Sequence, residues 1–198
     1  GIVLLYVIYW AGGMMPEDFT SNELTGEPAN MSIHILLLFT FVAVFLYDAI
    51  YKSPLASNVR AVTVLSFLLI TAYVFAMQKL GGFGYRAVNI HLGALFGTNM
   101  AFNVWFRIWP AQQKIITAIK NGEAPDGSLL ALAGLRSKHN TYMSVPLVWT
   151  MHNEHHVTVP TALGIPGEFS WLLPMVMVIL GWHIVWQLYK KSGTIKGF

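Results

Sequence analysis

The chain has 198 residues, 55% of them hydrophobic and only 11% charged, with a formal net charge of +3. An average soluble domain is about 25% charged, so this balance argues against a soluble globule and points to a polytopic membrane protein. There are no cysteines, which excludes disulfides, thiolate metal sites, iron–sulfur clusters and the attachment of a c-type haem.

In chain order, Gly1–Gly12 is apolar but would make only about 18 Å of helix at ~1.5 Å per residue, short of a ~30 Å hydrocarbon core. It is expected to be the end of a transmembrane helix whose beginning is absent. Five further apolar runs are expected to span the membrane: Ser32–Tyr51, Arg60–Gln78, Ala87–Trp109, Thr141–His156 and Phe169–Tyr189. The run from Thr141 contains Pro146, so a kink or a partial span is expected there. The expected fold is an all-α bundle of five spans plus the partial first one, forming a single domain over residues 1–198.

The connections alternate in charge. Residues 14–30 carry Glu17, Asp18, Glu23 and Glu27 without a base, whereas Lys52, Arg60, Lys114, Lys120, Lys190, Lys191 and Lys196 fall on the opposite side. By the positive-inside rule the 110–140 connection and the C-terminus are cytoplasmic, which suits a bacterial inner membrane. The basic residues sit in short blocks beside apolar runs and read as topology signals, so no nucleic-acid partner is expected. Residues 121–127 should form a turn, followed by a short surface helix.

Two features stand out in "NIHLGALFGTNMAFNVWF". Gly93, Gly97 and Ala101 form a small-residue stripe that would let another helix approach closely. His91, Thr98 and Phe102 lie on a different face, with Asn99 and Asn103 beside it, and polar groups there should face the bundle interior or a cofactor. Downstream, "MHNEHHVTVP" places His152, His155 and His156 on one broad helical face. Imidazole ligates haem iron, non-haem iron, copper or zinc, although histidines at a helix end emerging into water need no ligand. An H-x-x-H-H box also occurs in membrane di-iron desaturases, but such a site needs several boxes and no second one exists. His139 lies at the inner boundary beside Arg136 and Lys138, where bases can meet haem propionates or lipid phosphates. His183, within the last run, must pair or ligate. Asp48 is positioned to pair with Lys52 one helical turn on, and a proton-transfer role is also open to it.

The stretch "HLGALFGTNMAFNVWFRIWPAQQKIITAI", followed by "RSKHNTYMSVPLVWTM", resembles the membrane domain of bacterial urate hydroxylases, the urate oxidase N-terminal domain family. The shared features are a His-x-Gly-Ala-x-x-Gly-Thr run, an Asn-Val-Trp segment ending in Pro-x-Gln, and Arg-Ser-x-His-Asn before an apolar helix containing Pro. "YDAIYKSPL" resembles a further family segment, and the likeness covers about Leu46 to His156. It implies a helical membrane redox protein whose full-length relatives oxidise urate and pass electrons to a fused cytochrome c domain. It also implies functional roles for His91 and His139, with Asn103, Arg136 and Asn140 beside them. No cytochrome c motif follows here, and "HNEHH" stands where relatives often read Ser-Asn-His-Tyr.

The expectation is therefore a lipid-embedded redox subunit binding one or two haem b groups and exchanging electrons with a separate donor or acceptor such as a cytochrome c. An outer haem would pair His91 with His152, His155 or His156, and an inner one would pair His139 with His183. Three alternatives remain open: an oxidase of urate or a similar small molecule, a non-haem copper, zinc or iron site at His152–His156, and a purely structural subunit of a larger membrane complex. Catalytic residues cannot be named from the sequence.

Overall fold

The computed structural model describes residues 31–194 apart from Glu154 and Val157, so the expected N-terminal half-helix lies outside the described residues. Among the described residues all regular structure is helical. Helix α1 covers Met31–Lys52, and a 3₁₀ turn at Pro54–Ser57 leads to α2, Val59–Lys79. Helix α3 (Tyr85–Asn103) passes through a π turn (Val104–Ile108) into α4 (Trp109–Lys120). The long α5 (Gly127–Asn153) is followed by a single turn, α6 (Val159–Ala162), and by a 3₁₀ turn at Gly167–Phe169 that opens α7 (Leu172–Ser192).

Three helical segments are long and apolar enough to cross a membrane: His34–Lys52, Val59–Lys79 and Gly167–Ser192. They correspond to the first, second and fifth of the expected runs. The other two runs are helical, but α3 and α5 carry too many polar side chains to qualify. They are instead packed against each other, with Asn89, His91, Asn99 and Asn103 buried on one and Arg136, Thr150 and Asn153 on the other. The apolar core, including Val74, Met77, Phe83, Val88, Leu92, Phe96, Met175 and Val178, joins α2, α3 and α7 around this pair.

Two boundaries differ from expectation for identifiable reasons. The fourth run does not stop at Trp109. Pro110 offers no N–H to the carbonyl four residues back, and that carbonyl, of Phe106, accepts instead from Arg107 Nη1 at 3.1 Å. The chain absorbs the defect as a π turn and continues in helix. In the same turn Val104, Trp105 and Phe106 face out of the bundle. The 110–140 connection is consequently almost all helix, and only residues 121–126 are irregular, with Gly122 at φ +76° in the expected turn. Helix α5 starts where the short surface helix is expected, with Asp126 capping it through Ser128 N–H, which donates to Asp126 Oδ1 at 2.8 Å, but it continues without a break into the run expected from Thr141. That bond holds the Asp126 carboxyl below the usual carboxylate range. The helix then runs through Pro146.

On the other side of the bundle Gln78 clasps the segment before α7. Its Nε2 donates to the Gly167 carbonyl at 2.6 Å and to Ser170 Oγ at 2.8 Å, while its Oε1 accepts from the Trp171 N–H at 3.1 Å.

The small-residue stripe divides into one contact and two open positions. A Cβ on Gly93 would lie 2.7 Å from Thr150 Oγ1 of α5, whereas nothing lies within 4 Å of one on Gly97, and Ala101 is exposed. Gly93→Ala is therefore expected to cost about 1–3 kcal/mol through overpacking, while Gly97→Ala gains up to about 1 kcal/mol of helix propensity. Thermal unfolding of the detergent-solubilised variants checks the pair, and an equal loss in both would restore the whole stripe as an interface.

Candidate functional site

Helices α3 and α5 are antiparallel, and polar side chains pair at both ends of their contact. At one end Asn153 Nδ2 donates to the Tyr85 hydroxyl, with Asn89 alongside. At the other, Asn103 Nδ2 donates to Asn140 Oδ1 at 2.8 Å and Asn140 Nδ2 to the Met100 carbonyl at 3.2 Å. The histidines expected to be ligands divide between these ends and the surface.

His91 is buried near the first end. Its Nδ1 lies 2.9 Å from the Ala87 carbonyl and its ring packs on Phe83, with centroids 5.3 Å apart. His152 and His156 are exposed where α5 runs out, with ring centroids 4.6 Å apart, and His155 is exposed beside them. His183 faces out of α7 and shares a 3.2 Å hydrogen bond with Gln187 on its own helix. His139 is half-buried at the other end and bonds Tyr47. Thus His139 and His183, the expected inner pair, have separate partners. His91 stands 12 residues from Asn103 along α3, about 18 Å at ~1.5 Å per residue. Among the described residues no group of three or more His, Asp or Glu side chains is arranged to hold a metal ion.

What the fold does bring together is a cluster around Tyr47 and Asp48, in the last turns of α1. The Tyr47 hydroxyl lies 2.8 Å from His139 Nδ1 and accepts from Asn103 Nδ2 at 2.8 Å. With the Asn103 amide donating, the phenolic proton is available to His139 Nδ1. Tyr51, one turn on, lays its ring on the His139 ring at 4.2 Å between centroids.

Asp48 collects three cations. Arg107 grips it with two bonds, Nε to Oδ1 at 2.9 Å and Nη2 to Oδ2. Arg136 Nη2 donates to Oδ1 at 2.9 Å, and Lys52 Nζ lies 2.8 Å from Oδ2. Arg136 is 1% exposed, and its guanidinium carbon sits 5.1 Å from the Tyr47 ring centroid and 5.6 Å from that of Tyr51. These aromatic faces supply part of the stabilisation a buried cation requires.

Of the residues expected to be functional, His139, Asn103, Arg136 and Asn140 converge here, and His91, His152, His155, His156 and His183 do not join them. Tyr47, Tyr51 and Arg107 were missed as candidate site residues, and Asp48 was read as a partner for Lys52 with a proton-transfer role open beside it. A lone carboxylate in an apolar helix signals a buried cationic partner, but periodicity cannot say which of the chain's basic residues reaches it.

Removing the carboxylate strands Arg136 in the interior. Asp48→Asn is expected to destabilise the protein by about 3–5 kcal/mol. Lys52→Gln, at a side chain 58% exposed, should change stability by no more than about 1 kcal/mol. Chemical denaturation in a mild detergent checks both; a small loss in Asp48→Asn would mean that Arg136 does not depend on this pair.

No curated protein sequence and no solved structure matches this chain. Residues 1–196 match the model of the family described as Urate oxidase N-terminal. That match takes in α1, α3, α5 and the cluster between them, and on its extent the chain belongs to the urate oxidase N-terminal family.

Proposed function

We propose that this chain is the membrane-embedded part of an oxidoreductase that oxidises urate or a closely similar heterocyclic anion. The observation that carries the reading is the convergence of Tyr47, Asp48, Asn103, Arg136, His139 and Asn140 from three helices into one partly buried hydrogen-bonded cluster. Structural packing alone rarely gathers so many polar groups inside a membrane bundle, where each is costly.

Oxidative hydroxylation of urate takes an oxygen atom from water and releases two electrons and two protons. The Tyr47–His139 pair is suited to accept a proton, since a phenol hydrogen-bonded to an imidazole passes one on without separating charge over distance. The electrons go to a separate one-electron carrier, such as a c-type cytochrome, reduced twice per turnover. Lys52, Lys114, Lys190 and Lys191 favour a bacterial cytoplasmic membrane with this end of the bundle and the C-terminus inside.

Haem b held by His91 is the second reading. It is favoured by the burial of His91 and by its Nδ1 contact to a carbonyl, the arrangement that orients ligating imidazoles. His139 and His183 have separate partners, Tyr47 and Gln187, so the second haem has less support than the first.

Membranes containing the full-length protein should consume urate and reduce added cytochrome c in a ratio of two per urate. His139→Gln should lower kcat by about 10²-fold or more and flatten its pH dependence. Absence of urate-dependent cytochrome reduction rejects the oxidation. A pyridine haemochrome of the purified protein decides the second reading, through a b-type signal that His91→Ala abolishes.

A further inference from the structure

The charges in the cluster do not balance. Lys52, Arg107 and Arg136 all reach the same carboxylate, and no other carboxylate is paired with them among the described residues. The C-terminal end of α1 contributes about half a negative charge at most, which leaves a surplus of more than one positive charge. Lys52 is open to water, but Arg136 is not, and a buried cation without a full counter-charge is strongly unfavourable.

The hydrogen-bond inventory points the same way. Arg136 is 1% exposed, and its Nε and Nη1 have no acceptor among the described residues. Asn103 is fully buried, and its Oδ1 has no donor. Its Nδ2 is already spent on Tyr47 and Asn140, and rotating the amide would set its oxygen against Asn140 Oδ1. The unmet demand is for acceptor oxygens beside Arg136 and for one N–H or O–H donor beside Asn103. Chloride meets only the first requirement, and a neutral ligand leaves the charge.

We infer that the cluster is built around a bound soluble oxyanion that presents acceptor oxygen to Arg136 and a donor to Asn103, with Arg136 and Asn103 as its specificity-determining residues. This rests on the proposed oxidation for the identity of the anion, but not for its charge. The carbonyl and adjacent ring N–H of an anionic ureide carry both features on one edge. Lys52 and the partly exposed Arg107 form the rim that draws the anion in, and Asp48 positions Arg107 and Arg136 without touching the ligand. Phospholipid headgroups share the oxyanion, and those with free hydroxyls also share the donor, so the test separates them from a soluble anion.

The test uses the full chain in an uncharged detergent, stripped of anionic lipid, with urate, inorganic phosphate and hypoxanthine as probes in calorimetry and thermal unfolding. Urate is expected to bind saturably and raise the unfolding temperature, phosphate to do so more weakly, and hypoxanthine, uncharged at neutral pH, to do neither. Arg136→Gln should abolish urate binding. Should that variant fail to fold, Lys52→Gln carries the test, with an expected loss of affinity of about tenfold or more at low salt. The inference is overturned if urate does not bind, if Lys52→Gln binds as tightly as the parent, or if only nanodiscs containing phosphatidylglycerol, and not phosphatidylcholine, stabilise the protein. Saturable urate binding without turnover would remove the proposed oxidation and leave the anion site. Turnover with an affinity indifferent to Lys52 and Arg136 would do the reverse.

Discussion

The carboxylate of Asp48 determines how the rest of this bundle is put together. Three cations from three elements converge on it: Lys52 from α1 itself, Arg107 from the π turn and Arg136 from α5. Hydrocarbon does not solvate a guanidinium, so Arg136 sits in the interior only because the carboxylate and two tyrosine faces replace its water. The π turn belongs to the same arrangement. The carbonyl that Pro110 leaves without its helical donor is taken by Arg107, the residue that also grips Asp48 through Nε and Nη2. One defect in the helix ladder is thereby closed by the side chain that pins the turn to α1.

Helices α3 and α5 depart from the usual membrane pattern because they face each other more than they face lipid. Hydropathy marks α1, α2 and α7, where exposed Ile35, Leu38, Phe45, Leu68 and Ile184 meet the apolar surroundings. It fails on α3 and α5, where buried Asn89, Asn103 and Asn153 bond across the helix pair or within it and buried Arg136 reaches Asp48 on α1. These polar contacts occur at both ends of the pair, with Gly93 against Thr150 toward one of them. The contact thus has a fixed register, which apolar packing alone specifies poorly.

This explains which parts of the molecule were legible in the sequence. The all-helical class, the three apolar spans and the turn at Gly122 follow from composition, hydropathy and turn chemistry, each a local property. The start of α5 is equally local, since Asp126 two residues before Ser128 is a capping signal and a short surface helix is expected behind it; that this helix joins the run at Thr141 without a break is not local. The π turn was not legible, because Pro110 alone also permits a helix to end. The histidines were legible only in part, for a different reason. Spacing told correctly that His152 and His156 share a face, but nothing in spacing says whether that face meets a cofactor or water. His183 faces out of the bundle with Gln187, one turn along its own helix, as its partner. The motifs carrying the family resemblance mark the polar cluster better than imidazole density does: "YDAIYKSPL", "FNVWFR" and "RSKHN" hold the Tyr47, Asp48, Asn103, Arg107, Arg136, His139 and Asn140 side chains that meet.

The same geometry bears on why the cluster is polar at all. A packed apolar junction of α1, α3 and α5 would be at least as stable, since replacing a buried ion pair by well-packed hydrophobic groups is often neutral or favourable. The three-cation arrangement instead leaves donors on Arg136 and an acceptor on Asn103 without partners inside a closed bundle. Such local inconsistency is expected where a protein gives up stability for function. The neighbouring groups are not inconsistent in this way: Tyr47, His139 and Asn140 each have defined hydrogen bonds. The contrast separates two roles within a single cluster. Tyr47, His139 and Asn140 are held in place by bonds within the protein, and Arg136 with Asn103 is the part whose bonding a ligand of the proposed kind would complete.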